Sequence, residues 1–229
     1  MQIRLRIAIA LVALVAFVPA MAQADWFEDF EGYAPGDGLH GVNGWYGWND
    51  DLSADAIISD FFSYSGANSV AISGLADIVQ MFSGYTTGVW NLVTYMFIPE
   101  DFTGQTYFIV LNTYAPNGAQ NWSVEVNFTG GTITDFSGAN TLPYVTGEWA
   151  EIELVIDLDA DMQTFFYNGD LLYSASWSEG ASGGGAVNIG AIDLFANGAS
   201  PVYYDMMSLS QGGVAVENRS LSNVKSLFQ

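Results

Sequence analysis

The chain has 229 residues, 50% of them hydrophobic and none of them cysteine, and 25 acidic against 4 basic residues give it a formal net charge of −21. No Lys or Arg occurs between Asp25 and Asn218. The composition therefore excludes disulfides and thiolate metal sites, and it excludes nucleic-acid binding because no basic side chain can neutralise phosphates. Anionic membranes and polyanionic glycans are also repelled, which leaves neutral sugars, cations or a basic partner. The alternative is that the acidity only keeps a β-protein soluble.

The first 24 residues have the pattern of a signal peptide. Two arginines precede an apolar run at Ile7–Val18, and Ala22-Gln23-Ala24 supplies the small residues of a cleavage site. The apolar run is shorter than the roughly 20 residues that a membrane-spanning helix needs, and we expect no membrane span after cleavage. Cleavage is expected before Asp25, with Gln23 as the alternative start. We therefore expect a secreted protein, extracellular or on the cell surface, with the periplasm as the alternative.

Most of the mature sequence alternates between apolar and polar residues with the period of a half-buried β-strand. Asn121–Phe128 and Trp149–Asp157 are the clearest segments, and turn signals such as Asn168-Gly169 separate further apolar runs. The predicted inward-facing residues are Trp122, Val124, Val126 and Phe128 in the first segment and Ile152, Leu154 and Ile156 in the second. The pattern predicts an all-β fold, a two-sheet antiparallel β-sandwich (jelly roll), over residues 25–210.

Residues 211–229 differ in character from the rest. Gly212-Gly213 indicates a short linker. Four apolar residues then fall on one face of a possible amphipathic helix, and Ser220 is in place to cap it. These apolar residues are Leu221, Val224, Leu227 and Phe228. We predict a linker and a terminal helix that docks on the body or binds a partner.

Several segments resemble the concanavalin A-like lectin/glucanase (laminin-G-like) jelly-roll superfamily, in its bacterial extracellular form. In Gly147–Asp157 a Trp opens the strand and an Asp closes it, and Phe166–Gly169 adds a hairpin with an aromatic residue before Asn-Gly. Phe27–Glu31 is similar to the first strand of such domains, and Val202–Asp205 is similar to the last. The resemblance implies the same sandwich fold, which hosts both lectins and enzymes.

The resemblance also implies a structural calcium ion that ties the first strand to the last. Asp29, Glu31 and Asp205 stand where its ligands are expected, and calcium prefers such oxygen donors. The alternative is that they are solvated carboxylates at strand ends. A second acidic cluster, Asp157–Asp161, starts like an EF-hand loop but has Met162 where that loop needs glycine. We interpret this second cluster as a hairpin turn.

An aromatic loop is the candidate ligand site. Trp45, Tyr46 and Trp48 crowd into a glycine-rich segment, where their rings could stack on sugar faces while Asn49 and Asp50 accept hydrogen bonds from hydroxyls. Trp177 lies between two serines and is predicted to be a second exposed aromatic residue. The alternative is that some of these tryptophans fold back and plug the end of the sandwich.

Catalysis is not predicted. Glu151, Glu153 and Asp157 share one strand face, but the enzymes of the resembled superfamily carry Glu-x-Asp-x-Glu or Glu-x-Asp-x-x-Glu there, and this chain has Val155 and Ile156 in the last position. The prediction is a secreted, non-catalytic, lectin-like module that binds a neutral polysaccharide or glycan. The alternatives are a cell-surface structural or adhesion protein that contacts other proteins and, less favoured, a carboxylate-dependent glycoside hydrolase or polysaccharide lyase.

Overall fold

The computed structural model describes residues 25–212, which form two antiparallel β-sheets packed face to face. Sheet A contains β1 (Trp26–Glu28), β3 (Ile57–Ser59), β4 (Ser69–Ile72), β6 (Val89–Phe97), β11 (Trp149–Asp157), β12 (Met162–Tyr167), β13 (Asp170–Ser176) and β15 (Val202–Gln211). Sheet B contains β2 (Trp45–Gly47), β5 (Asp77–Met81), β7 (Gln105–Tyr114), β8 (Gln120–Thr129), β9 (Thr132–Thr134), β10 (Thr141–Pro143) and β14 (Ala191–Phe195). Two short 3-10 helices, Trp48–Asp50 and Leu52–Ala54, follow β2. The predicted fold class is confirmed.

The strand order departs from the chain order, as it does in jelly rolls. Sheet A runs β13-β12-β11-β6-β15-β4-β3, with β1 pairing with β15, and sheet B runs β10-β9-β8-β7-β14-β5-β2. The last strand therefore lies in the interior of sheet A, between β6 and β4, and it extends through Gln211, one residue beyond the predicted boundary of the body. No helix among these residues is long and apolar enough to cross a membrane. The predicted signal peptide and terminal helix lie outside the described residues.

The core lies between the two sheets and is filled by the alternating positions of their strands. Ile152, Leu154 and Ile156 of β11 are fully buried, as predicted, whereas Glu151 and Glu153 face outward. From sheet B, β8 contributes three further fully buried side chains. These are Val124, Val126 and Phe128. Burying each large apolar side chain contributes about 1.5–3 kcal/mol, and so this interior supplies most of the driving force for folding.

The prediction that Trp122 faces the core is wrong, and a β-bulge is the reason. Val110 pairs with Val124, but the next residue of β7, Leu111, pairs with Trp122, so that Ser123 is an extra residue in β8. One extra residue reverses the face of the sheet on which the side chains beyond the bulge lie. Ser123 itself is fully buried. The Trp122 ring is therefore turned to the outer face of sheet B.

That outer face is unusually apolar. Val79, Ile109, Leu111 and Ala191 form a second buried cluster there, separate from the main core. The central strands of sheet B therefore carry apolar side chains on both faces. The loop that follows β2, together with several aromatic side chains, covers part of this second cluster, and the remainder forms the floor of a groove.

Candidate functional site

A groove on the outer face of sheet B is the candidate ligand site. It has a volume of about 430 Å³ and is lined by four aromatic side chains, three carboxyl groups, Ile109 and Gln120. A volume of this size lies within the range of ordinary small-ligand sites, which is about 300–1,000 Å³. Aromatic surface with a few polar groups is the composition such sites usually have.

Two aromatic pairs form the apolar part of the groove. Trp48 stacks on Trp122, with ring centroids 5.8 Å apart and an angle of 24° between the planes. Tyr107 of β7 stacks on Phe195 of β14 at 5.7 Å and 17°. Tyr114 packs against Trp48 from the side, with the ring centroids 5.0 Å apart. The groove therefore offers flat ring surfaces fixed by their neighbours before any ligand arrives.

Asn49 fixes the loop that carries Trp48. Its amide oxygen accepts hydrogen bonds from the Asn117 backbone N–H (2.8 Å) and from Gln120 Nε2 (2.7 Å), and its own N–H donates to Tyr114 Oη (2.9 Å). Asn49 has φ +58°, a conformation that asparagine adopts more readily than most residues. These bonds join the β2 loop to the β7–β8 hairpin. Asn49 therefore positions the groove wall rather than lining the cavity.

The acidic part of the groove contains Asp77, Asp193 and Glu125. The carboxyl groups of Asp77 and Asp193 adjoin each other on the paired strands β5 and β14, and Asp193 is only 2% exposed. Burial raises the pKa of Asp193 well above its ordinary range, and the neighbouring Asp77 carboxylate raises it further. Burial also raises the pKa of Asp77. The two groups therefore hold one proton between them at pH values where isolated aspartates are ionised.

The structure does not bring the six predicted ligand-binding residues together in one site. Of the six, only Trp48 lines the groove. Trp45 and Trp177 are fully buried, so the expectation that they present exposed rings is wrong. Trp45 packs among core aromatic residues, and the Trp177 indole donates a hydrogen bond to the Asn188 carbonyl (3.0 Å). Both plug the sandwich because their large rings fill space that the flanking glycines and serines leave open.

Tyr46 and Asp50 lie beside the groove, near His40. The Tyr46 ring packs edge-on against His40 with the ring centroids 5.7 Å apart. His40 Nε2 lies 3.6 Å from Asp50 Oδ1, and His40 Nδ1 accepts a hydrogen bond from the Gly47 N–H (3.1 Å). Neither Tyr46 nor Asp50 lines the cavity. This cluster therefore orders the loop behind Trp48.

Most of the groove residues were not predicted as ligand-binding. Three of them lie at outward positions on central strands that are hydrophobic on both faces, and these are Tyr107, Asp193 and Phe195. Such strands are usually buried on both sides. An aspartate at the centre of the apolar strand Ala191–Phe195 was the available signal, because a buried carboxyl group is rare unless it has a partner or a function.

The three weak catalytic candidates lie on the outer face of sheet A, opposite the groove. Glu151 accepts a hydrogen bond from Tyr95 Oη (2.9 Å), and burial together with Glu151 raises the pKa of Glu153. Asp157 accepts a hydrogen bond from the Ala160 N–H (2.9 Å), which closes the β11–β12 turn. The hairpin predicted for Asp157–Asp161 is confirmed, with Asp161 at φ +54°.

Two of the three predicted metal ligands meet at one loop. Glu31 Oε1 accepts hydrogen bonds from the N–H groups of Ala67 (2.9 Å) and Asn68 (2.7 Å). Asp205 Oδ2 accepts them from Tyr64 (2.7 Å) and Ser65 (3.0 Å). Burial raises the pKa of Asp205 and the nearby Glu31 carboxylate adds to this effect, although the three hydrogen bonds that Asp205 accepts oppose it.

Asp29 is not part of this arrangement, because its carboxylate accepts a hydrogen bond from the Glu31 N–H (3.1 Å) within its own turn. Among residues 25–212, no group of three or more His, Cys, Asp or Glu side chains is placed to hold a metal ion. Glu31 and Asp205 do supply carboxylate oxygens, which calcium prefers, and no Lys or Arg of the described chain balances their charge. The donor chemistry therefore fits calcium with two side-chain ligands.

Comparison with known proteins identifies the fold. No family model matches the sequence, and no curated protein matches it. The solved structure of a cellulose induced protein, Cip1, matches with a TM-score of 0.52 and 14% identity over 84% of this chain and 100% of that chain. A sialidase matches with a TM-score of 0.53 and 10% identity over 85% of this chain and 19% of that chain. At these identities the similarity extends to the β-sandwich fold, in agreement with the predicted jelly roll.

Proposed function

We propose that this protein is a secreted, non-catalytic, lectin-like domain that binds a glycan without anionic groups in the groove of sheet B. The observation that supports the proposal most is the combination of stacked aromatic rings with carboxyl groups in one cavity. Trp48, Trp122, Tyr107 and Phe195 provide flat apolar surfaces, and Asp77, Asp193 and Glu125 provide hydrogen-bond acceptors. Aromatic rings pack against the C–H face of a pyranose, while carboxyl groups accept hydrogen bonds from its hydroxyls.

Charge narrows the class of glycan. The described chain contains no Lys or Arg, so a uronate, sulfate or phosphate group would meet only negative potential in the groove. A neutral chain, as the sequence predicts, is therefore the reference ligand. The printed name of one similar structure, a cellulose induced protein, refers to a neutral polysaccharide of this class.

The arrangement of Asp77 and Asp193 favours binding without cleavage. A retaining glycosidase needs carboxyl groups about 5–5.5 Å apart, and an inverting one needs about 6.5–9.5 Å, on opposite sides of the scissile bond. Carboxyl groups that adjoin each other on paired strands leave no room for a sugar between them. If incubation with neutral polysaccharides released reducing ends, and Glu125→Gln stopped the release, the non-catalytic assignment would be wrong.

The test of the proposed function is a binding assay on insoluble neutral polysaccharides. Wild-type protein should be retained by at least one of a broad panel, and the double variant Trp48→Ala/Trp122→Ala should not be. Phe61→Ala is the matched control because Phe61 is 80% exposed and does not line the groove. Circular dichroism should give both variants the wild-type fold. Failure of the wild type on the whole panel would contradict the proposal and favour the adhesion alternative.

We further propose that Glu31 and Asp205 hold a structural calcium ion. Both carboxylates bind the backbone of the same loop, residues 64–68, and lie close enough for Glu31 to raise the pKa of Asp205. A divalent cation would offset this repulsion and would link the N-terminal segment to the last strand. The role is one of stability, and it is separate from the groove.

A further inference from the structure

The Asp77–Asp193 pair holds more acceptor capacity than the protein uses. Asp77 Oδ1 and Asp193 Oδ1 are both buried, and apart from the proton that the pair holds, neither has a hydrogen-bond donor among the described residues. Asp193 is 2% exposed, and both side chains line the groove. A native structure that keeps two such atoms at the wall of a cavity has a site suited to a donor from outside.

The surroundings of the pair carry no positive charge. Glu125 of β8 lies in the same row of sheet B as Asp193. Glu125 pairs with Ile109 of β7, and Ile109 pairs with Asp193 of β14. Burial raises the pKa of Tyr114 and of Tyr204, and the negative charge of the pair raises both pKa values further, so both phenols stay neutral. Tyr107 is neutral for the same reason, with Glu125 adding to the effect. Within the part of the chain that the structure describes, no Lys or Arg on any element packed against the pair supplies the positive charge that would complete the site.

We propose that the groove binds a glycan that carries free amino groups, and that the ammonium group of a 2-amino sugar docks at Asp77 and Asp193. The inference rests on the proposed function, since it names the sugar class that the same groove takes. An ammonium group has three N–H donors, which match the unpaired oxygens and add charge to the hydrogen bonds. The rings of Trp48, Trp122, Tyr107 and Phe195 support the same ligand, because aromatic faces attract cations as well as sugar C–H groups.

Neither a sugar hydroxyl nor a calcium ion fits these observations as well. A hydroxyl donates one hydrogen bond and brings no charge, so it leaves the second oxygen unpaired and the repulsion between two ionised carboxylates uncompensated. Calcium requires six to eight oxygens, whereas the groove lining is mostly aromatic and apolar and offers three carboxyl groups and one amide. A basic peptide could supply ammonium groups but lacks the flat pyranose faces that the stacked rings accommodate.

Proton balance gives the binding a signature. The pair holds one shared proton, and docking of an ammonium group favours two ionised carboxylates, so that binding releases this proton to solvent. The affinity should therefore rise with pH while the pair still holds its proton. It should fall again where the amine itself loses its proton and becomes neutral. A neutral sugar would follow neither limb of this profile.

The experiment is isothermal titration calorimetry on the purified protein with three hexamers that share a β-1,4-linked gluco backbone. These are a glucosamine hexamer, an N-acetylglucosamine hexamer and cellohexaose, which differ only at C2. We expect the glucosamine hexamer to bind about tenfold or more tightly than the other two, as a charged hydrogen bond contributes about 1.5–3 kcal/mol. Repeating the titration in two buffers of different ionisation enthalpy should reveal proton release for this ligand alone.

Two variants separate the site from general attraction to an acidic protein. Asp193→Asn should remove both the preference for the glucosamine hexamer and the proton release. Glu148→Gln makes the same acid-to-amide change at an exposed position outside the groove and should leave the preference intact. Hexalysine serves as the charge-matched ligand without pyranose rings.

The outcomes distinguish this inference from the proposed function. Equal binding of cellohexaose and the glucosamine hexamer would overturn the inference and leave glycan binding by the groove in place. A preference that survives Asp193→Asn, or hexalysine binding as tight as that of the glucosamine hexamer, would assign the effect to net charge and also overturn it. If none of the hexamers bound and no polysaccharide retained the protein, both proposals would fall.

Discussion

The Trp48 and Trp122 rings lie stacked 5.8 Å apart, although one belongs to the loop after β2 and the other to the bulged strand β8. This contact needs both local features, because the loop must be held by Asn49 and the strand must gain its extra residue at Ser123. The aromatic wall of the groove is therefore a product of tertiary structure. Its two halves can be altered separately, and each alteration has a predictable effect.

Tryptophans of the same loop should respond differently to truncation. Trp45→Ala should destabilise the fold by about 3–5 kcal/mol, because it empties a fully buried site. Trp48→Ala should cost about 1 kcal/mol, since it removes a half-buried stacked ring from the surface of the groove. Urea denaturation followed by circular dichroism measures both values. Similar losses in the two variants would mean that Trp48 belongs to the core and not to the groove wall.

The bulge at Ser123 should depend on Gly180. A Cβ atom at Gly180 would overlap the Ser123 carbonyl, and Gly180 lacks the positive φ that would strain any side chain. Gly180→Ala should therefore displace the bulge, destabilise the fold by about 1–3 kcal/mol and weaken glycan binding through Trp122. Gly32→Ala is the control, because a Cβ there meets no atom within 4 Å. Unchanged binding in a destabilised Gly180→Ala protein would show that the ring orientation does not depend on this packing.

The buried carboxyl pair should make the protein less stable as the pH rises. The raised pKa of Asp193 means that the folded state holds a proton that the unfolded chain releases above the ordinary aspartate pKa of about 3.9. The favourable contribution is complete below that value and is lost as the pH rises through the folded-state pKa. Asp193→Asn should therefore match the wild type near pH 3 and exceed its stability at pH 8 by about 1–3 kcal/mol.

Denaturation curves across this pH range test the prediction, with Asp170→Asn as the control. Asp170 is exposed at the start of β13, and its replacement should change stability little at any pH. A constant difference between Asp193→Asn and the wild type from pH 3 to pH 8 would contradict the assignment of the shared proton to this pair.

Calcium should raise the melting temperature of chelator-treated protein. Binding to the folded state alone adds about 2.7 kcal/mol when the free ion reaches about 100 times its dissociation constant. Glu31→Gln should remove the calcium-dependent gain, whatever its effect on the calcium-free protein. Asp29→Asn should retain the gain, because the Asp29 carboxylate is engaged in its own turn. A melting midpoint that does not respond to calcium or to excess chelator would rule out the proposed ion.

The sequence was sufficient for the fold because alternation is a local property. In β11 every second residue from Ala150 to Ile156 is buried, as the period of two requires. The turn at Asp157–Asp161 also followed from local chemistry, since aspartate and the lack of a glycine at the sixth position favour a hairpin over a calcium loop. Such features depend on neighbours in the chain, which a sequence displays directly.

The groove was harder to predict because it depends on register and on burial. A single extra residue at Ser123 reversed the face of Trp122, and no residue type marks a bulge of this kind. The burial of Trp45 and Trp177 was equally hard to predict, since glycine-rich and serine-rich segments occur both on surfaces and around buried rings. Asp77 and Asp193 come together only because β5 and β14 are neighbours in sheet B.

The position of β15 has a consequence for how the protein reaches its native state. This strand is the last of the described chain, yet it fills the gap between β6 and β4 in the middle of sheet A. Until residues up to Gln211 are available, the two halves of that sheet have open edges and no common partner. Sheet A can therefore close only late in folding, once the whole domain is available.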